Sequence, residues 1–186
     1  MRVGVSCAKR PHAPDTSDDQ RNKAQRMRSE TVTITRERPD TDDARQLIAE
    51  LEATLAPLYP AESRHGLSVE RLLAEAVAFF VLRADGVPAG CAGIKLVHDG
   101  GDDVAYGEVK RMFVRPAFRG RGFASHLLDR LEVHARSQRV NLLRLETGIL
   151  QAEAIGLYER AGFREIGPFG SYTDDPLSRY CEKSLR

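Results

Sequence analysis

The stretch Glu108-Val-Lys-Arg-Met-Phe-Val114-Arg-Pro-Ala-Phe-Arg119-Gly-Arg-Gly-Phe-Ala124-Ser-His-Leu-Leu128 reads as a strand, a short basic turn with two glycines, and the start of an amphipathic helix. Glycines at such a junction let backbone N–H groups approach a ligand closely. The helix N-terminus aims a positive dipole end at the same place. A protein holds a pyrophosphate in this way. The spacing Arg119-x-x-Gly122-x-Ala124 is not the three-glycine dinucleotide fingerprint, and it lacks the Lys-Ser/Thr ending of a P-loop.

Working outward, the 186-residue chain fits one domain with a hydrophobic core. Its formal net charge of +1 gives no global field toward nucleic acid or anionic membrane, so any basic function is local. Cys7, Cys91 and Cys181 are far apart, odd in number and at no metal spacing with the histidines. No metal site is expected, and a reducing, cytoplasmic setting is the simplest reading. No apolar run approaches the roughly 20 residues that span a bilayer. The N-terminus has basic residues but no apolar core of a signal peptide.

Residues 1–29 are polar, mixed in charge and poor in apolar side chains. They are expected to be a disordered N-terminal extension, because they bury too little surface to offset their ordering entropy. Met27 is an alternative start. The structured domain is expected over 30–186. Thr31–Arg36 alternates and is β-branched, a first strand. Asp40 or Thr41 caps a helix carrying Ala44, Leu47, Ile48, Leu51 and Leu55 at helical spacing, stopped by Pro57. The loop 57–66 is long enough to suggest ligand binding, and it carries Tyr59 and His65. Ser68 caps a short helix. Two strands flank a hairpin turn at Asp85-Gly86, a glycine-rich turn covers 98–103, and the quoted strand and helix follow. Leu142–Glu146 is a strand, Gln151–Ala161 a helix stopped by Gly162, Phe163–Ile166 a short strand, and Ser178–Leu185 the last one. The order β-α-α-β-β-β-α-β-α-β-β implies an α+β fold, a mixed and mostly antiparallel sheet with helices on both faces.

With Lys110-Arg-Met-Phe-Val-Arg-Pro116 before it, and Ala154-Ile-Gly-Leu-Tyr158-Glu-Arg-Ala-Gly162-Phe163 one helix, one strand and one turn later, the turn resembles the acetyl-CoA-binding segment of the GCN5-related N-acetyltransferases (GNAT). The details Leu145-Glu-Thr-Gly148 and Gly167-Pro-Phe-Gly-Ser-Tyr172 are similar to small stand-alone bacterial members. The resemblance runs from about Thr31 to the end. It implies the acyl-CoA N-acyltransferase fold, acetyl-CoA as co-substrate, and no metal. It also implies a strand splayed from its neighbour, so that backbone groups of Met112, Phe113 and Val114 meet the pantetheine arm and the thioester carbonyl. The backbone of Arg119, Gly120, Arg121, Gly122, Phe123 and Ala124 would take the pyrophosphate, with Arg119 and Arg121 adding charge-assisted bonds. Gln151 stands where many members carry Asn, which shifts the reach of its amide toward the cofactor.

For chemistry, Tyr158 is the candidate acid, because CoA leaves as a thiolate and a phenol of unperturbed pKa ~10 can donate a proton to it. Glu108 is the candidate base, acting directly or through water: an ammonium must lose a proton before it attacks, and the resemblance to family members with a glutamate at the start of this strand implies that role. Strand period would put Glu108 on one face with Lys110, Met112 and Val114 if no bulge intervenes. Glu146 competes for that role. His126 and His134, Cys91 and Cys181 read as surface or packing residues.

The function expected is acetyl transfer from acetyl-CoA to a primary amine, small-molecule or peptide, by direct attack in a ternary complex. Two other classes compete. A non-catalytic acyl-CoA-binding regulatory module of the same fold would bind CoA without transfer. A nucleic-acid binder would use Lys110, Arg111, Arg115, Arg119 and Arg121, against the near-neutral charge and the lack of a helix-turn-helix. Neither nucleic acid nor membrane is expected as a partner. Homodimers are common in the GNAT fold, and no residue here specifies one.

Overall fold

The first strand, β1 (Val32–Glu37), alternates half-buried and exposed side chains, as an edge strand with one covered face does. Helix α1 (Asp42–Leu55) begins where Thr41 Oγ1 accepts from the Ala44 N–H at 3.4 Å, with Asp42 and Asp43 in its first turn. A 3-10 turn (Ala61–Ser63) breaks the following loop, and Ser68 caps the short α2 (Val69–Ala74). Strands β2 (Ala78–Ala84) and β3 (Val87–Val97) form a hairpin. Asp85 and Gly86 both hold positive φ at its tip, the two-residue turn whose twist matches paired strands. Strand β4 (Tyr106–Val114) leads through a 3-10 turn (Pro116–Phe118) into α3 (Phe123–Ser137). Strand β5 (Leu142–Gly148), α4 (Ala152–Arg160), β6 (Arg164–Ile166) and β7 (Ser178–Ser184) complete the chain.

This computed structural model describes residues 30–98 and 104–186. The expectations for residues 1–29 and for the turn at 99–103 lie outside them. The seven strands form one sheet in the order β1-β2-β3-β4-β5-β7-β6. Every neighbouring pair is antiparallel except β4 and β5. The expected α+β architecture and element order hold, with boundaries within about two residues.

Strand alternation divides the core into two layers. On one face Phe80, Leu82, Ile94 and Val109 pack against Leu127, Leu128 and Leu131 of α3 and Tyr158 of α4. On the other, Phe79, Val81, Cys91 and Phe113 pack against Leu47, Ile48 and Leu51 of α1 and Leu72 of α2. A third cluster, Tyr106, Phe169 and Tyr180, lies under the 167–177 loop. Each fully buried Leu or Phe contributes about 1.5–3 kcal/mol by the area it removes from water. Cys91 is fully buried and its thiol pKa is pushed up to about 12 by that burial, so it is inert packing. Cys181 is buried too.

One departure from the sequence reading reshapes the centre. Between Gly93↔Lys110 and Cys91↔Phe113 the β3–β4 register slips, and Arg111 takes a positive φ of 54°. This is a bulge, two residues opposite one. Phe113 therefore faces α1, while Met112 and Val114 join Val109 on the α3 face. The shared face expected for Glu108, Lys110, Met112 and Val114 does not exist past Lys110.

Candidate active site

Strands β4 and β5 stay paired only at Gly107↔Leu143 and Glu108↔Arg144. Beyond those two rungs the strands diverge, and the β5-facing edge of β4 lacks a ladder partner from Val109 onward. Unpaired strand backbone is a set of donors and acceptors that must be met by something else. A cleft of about 590 Å³ opens there. Its walls are Met112, Phe113 and Val114 of β4, the turn and first residues of α3, and Gln151, Ala154 and Leu157 at the start of α4.

One end of the cleft is built for an anion. Gly120 and Gly122 have φ of +75° and +79°, and a Cβ at either would point into open space. Gly122 is the N-cap of α3 and offers no side chain to cap it, and no acidic residue stands in the first turn. Helix α1 satisfies both needs internally, with Thr41 and two aspartates. The first N–H groups of α3 thus keep their dipole and donors for a ligand. Arg119 lines this end and donates to the Val114 carbonyl at 3.2 Å and to Glu153 at 3.0 Å. Gly120, Gly122, Phe123 and Ala124 line it as well. Arg121 does not; its guanidinium packs over the Phe118 and Phe123 rings, 5.3 and 5.6 Å from their centroids.

At the other end the cleft meets a smaller cavity of about 90 Å³. Leu51, Leu55, Met112 and Gln151 line both. Tyr158, Glu146, Thr147, Lys110, Arg111, Arg64, His65, Tyr59 and Tyr172 complete the smaller one. Tyr158 comes from α4, is 6% exposed, and rests edge-on against Phe163 with centroids 5.6 Å apart. Burial, then the nearby Glu146 charge, hold its phenol pKa well above the ordinary value, so it stays protonated. Glu146 comes from the diverging end of β5. Burial raises its pKa, against the opposing hydrogen bond from Ser178 Oγ at 2.7 Å. Glu146, with raised proton affinity, and the protonated Tyr158 phenol thus line the same cavity.

The structure places Glu108 elsewhere than the sequence reading expected of a base. Glu108 is buried, pairs with Lys110 Nζ at 2.6 Å, and accepts from the Tyr172 hydroxyl at 2.7 Å. Lys110 and Tyr172 line the small cavity and Glu108 does not. The carboxylate sits behind those two side chains and fixes them. Gln151 does reach the site, at the junction of the cavities. Tyr59 and His65, loop residues read as candidates to line the acceptor pocket, are both in the wall of the small cavity. The Tyr59 hydroxyl accepts from the Leu150 N–H at 2.8 Å, and its ring lies so close over Gly148 that a Cβ there would overlap it. His65 Nε2 is 3.2 Å from Asp175 Oδ2, and its ring meets Tyr172 edge-on. Arg64, Arg111 and Tyr172 are wall residues that sequence reasoning missed. Among the described residues no group of three or more His, Cys, Asp or Glu is arranged to hold a metal, and no helix is long and apolar enough to cross a membrane.

Residues 44–163 match the family model described as the acetyltransferase (GNAT) family. The chain belongs to the GNAT acetyltransferases. It is 47% identical over 154 residues to a protein of Azospirillum brasilense named IAA acetyltransferase, covering 83% of this chain and 98% of that one. A Klebsiella pneumoniae crystal structure assigned to the acyl-CoA N-acyltransferases superposes with a TM-score of 0.70 at 35% identity, covering 84% of this chain and 99% of that chain. The PaiA N-acetyltransferase of Thermoplasma acidophilum, solved with coenzyme A, shares the fold at a TM-score of 0.62 and 19% identity, covering 83% and 99%. This GNAT acetyltransferase is thus an acetyl-CoA-dependent acyltransferase, and the open strand edge and uncapped α3 N-terminus fit that co-substrate.

Proposed function

We propose that this GNAT acetyltransferase transfers the acetyl group to a primary amine by direct attack in a ternary complex. One observation carries the reading: the cleft with the anion cradle and the cavity holding Tyr158 and Glu146 are neighbours that share the wall residues Leu51, Leu55, Met112 and Gln151. Acetyl-CoA, when bound, supplies an activated thioester. The N–H groups of residues 120–124 hold its pyrophosphate, and the unpaired edge of β4 around Met112, Phe113 and Val114 holds the pantetheine arm. An oriented strand N–H stabilises negative charge on the thioester oxygen. Glu146 takes the proton from the incoming ammonium. Tyr158 gives its proton to the departing sulfur. Glu108 holds Lys110 and Tyr172 in the wall. Confining the two reactants to adjoining cavities supplies the proximity that direct transfer requires.

The test is calorimetry with acetyl-CoA, beside CoA release across a panel of primary amines, with IAA assayed separately as a non-amine because of the Azospirillum relative's name. Binding with amine-dependent release is the expected result. Binding with no release from any amine would overturn the transfer reading and leave an acyl-CoA-binding module.

A further inference from the structure

The wall of the small cavity carries three fixed cations, Arg64, Lys110 and Arg111, and one carboxylate, Glu146. Their partners do not match one to one. Lys110 is taken up by Glu108 and by the Tyr172 hydroxyl at 2.5 Å. Arg111 is buried, donates to the Leu67 carbonyl, and pairs with Glu52 through one carboxylate oxygen. Arg64 is left with the other oxygen of that same Glu52, at a long 3.4 Å. One carboxylate therefore serves two guanidinium groups. Arg64 Nε, moreover, is buried without a hydrogen-bond partner. The Arg64 side chain keeps 28% of its surface exposed, so the unmatched Nε belongs to a guanidinium that an acceptor in the cavity can approach. Arg64 lines the small cavity and not the cofactor cleft, so the phosphates of the co-substrate are not that acceptor.

Resting on the transfer reading above, we infer that the acceptor is a free amino acid, its carboxylate held by Arg64 and its amine presented to Glu146 and Tyr158. A guanidinium edge and a carboxylate match in charge and in geometry. The cavity volume, of the order of a few water molecules, suits an amino acid head group. The same cavity wall carries the Arg64 guanidinium for a carboxylate and Glu146 for an ammonium, the two charges of a zwitterion.

Calorimetry on the full chain saturated with CoA tests this, using α-, β- and γ-amino acids, each beside its own carboxamide. At least one amino acid should bind ~10- to 100-fold more tightly than its amide, the range a charge-assisted pair supports. Arg64→Gln should reduce that preference to within about threefold, and Arg64→Lys should keep part of it, with acetyl-CoA affinity unchanged in both. Acids and amides binding alike, neither binding, or a preference that survives Arg64→Gln would each overturn the inference. CoA release is read on the same pairs. Amides acetylated as fast as acids would overturn the carboxylate site and leave the transferase standing. Acid-selective binding with no release from any acceptor would uphold the site and sink the transfer reading instead.

Discussion

Tyr158→Phe removes one oxygen atom from the wall of the small cavity, and the structure says what else it leaves alone. The ring stays packed among Leu127, Leu145 and Phe163 in the α3-side layer, and no apolar area is lost. A change confined to one hydroxyl shifts stability by ~1 kcal/mol or less. For a domain of this size that moves Tm by no more than about 4 °C. Loss of a general acid lowers the rate by ~10²–10⁴-fold, which at 1.36 kcal/mol per decade is about 2.7–5.4 kcal/mol of barrier. The kinetic effect thus exceeds the structural one severalfold, and the two separate cleanly. The assay is CoA thiol release at saturating acetyl-CoA, with calorimetric acetyl-CoA affinity and Tm measured on the same preparation. Because burial and the Glu146 charge keep the phenol protonated above its ordinary range, the wild-type rate should show no basic limb from this group. A variant kcat within about threefold of wild type would refute the acid assignment. A large fall in Tm would mean that the packing argument is wrong.

Glu146 must be ionised to act as a base, so wild-type kcat/KM should fall with decreasing pH at a value above the ordinary carboxylate range, and Glu146→Gln should remove that limb along with most of the rate. A limb that persists in the variant assigns the base elsewhere. The linkage has a sign as well: a carboxyl whose folded pKa is raised loses stability as pH climbs from its unfolded value through the folded one. Glu146→Gln should therefore melt higher than wild type at pH 8 and no higher at pH 4. Gly122→Ala forces a side chain into left-handed backbone at ~1–2 kcal/mol, and its methyl group intrudes on the cradle. Acetyl-CoA affinity should drop by ~10-fold or more, while unchanged affinity would mean that the pyrophosphate lies elsewhere. Gly148→Ala drives a methyl group into the Tyr59 ring. Displacing that ring should cost roughly 1–3 kcal/mol in denaturant melts and lower kcat through the loosened Leu150 contact.

Much of the fold was legible because its signals are local. Thr41 and Ser68 cap the helices they were expected to cap, and Asp85-Gly86 makes the expected hairpin turn. Periodicity located the buried stripe of α3, Leu127, Leu128 and Leu131. The Arg119–Ala124 turn was legible for the same reason, since glycines and a helix start are adjacent in sequence. What failed to show was set by distant partners. Arg111 gives no sequence sign of a bulge, which exists because its guanidinium finds Leu67 and Glu52, 44 and 59 residues away in the chain. Glu108 reads as a base from the family resemblance and from strand period. Its burial behind Lys110 and Tyr172 follows from a loop that returns 64 residues later. The insertion of β7 between β5 and β6 likewise has no local mark, and it fixes Glu146 by pairing its strand with Tyr180.

The bulge at Arg111 makes β4 a counted element. Upstream of it, odd positions face α3; downstream, even ones do, so that Met112 and Val114 reach the cleft while Phe113 reaches α1. Deleting Arg111 would remove the extra residue, restore plain alternation from Lys110 to Met112, and leave Met112, Phe113 and Val114 on the faces they now hold. Straightening the bulge with the residue count unchanged would instead turn Met112 and Val114 toward α1 and Phe113 toward α3, exchanging the lining of the cofactor cleft for the lining of the helix layer. Among variants of this chain, a one-residue deletion at the bulge should therefore preserve the cleft lining, whereas a one-residue insertion beside it should exchange that lining.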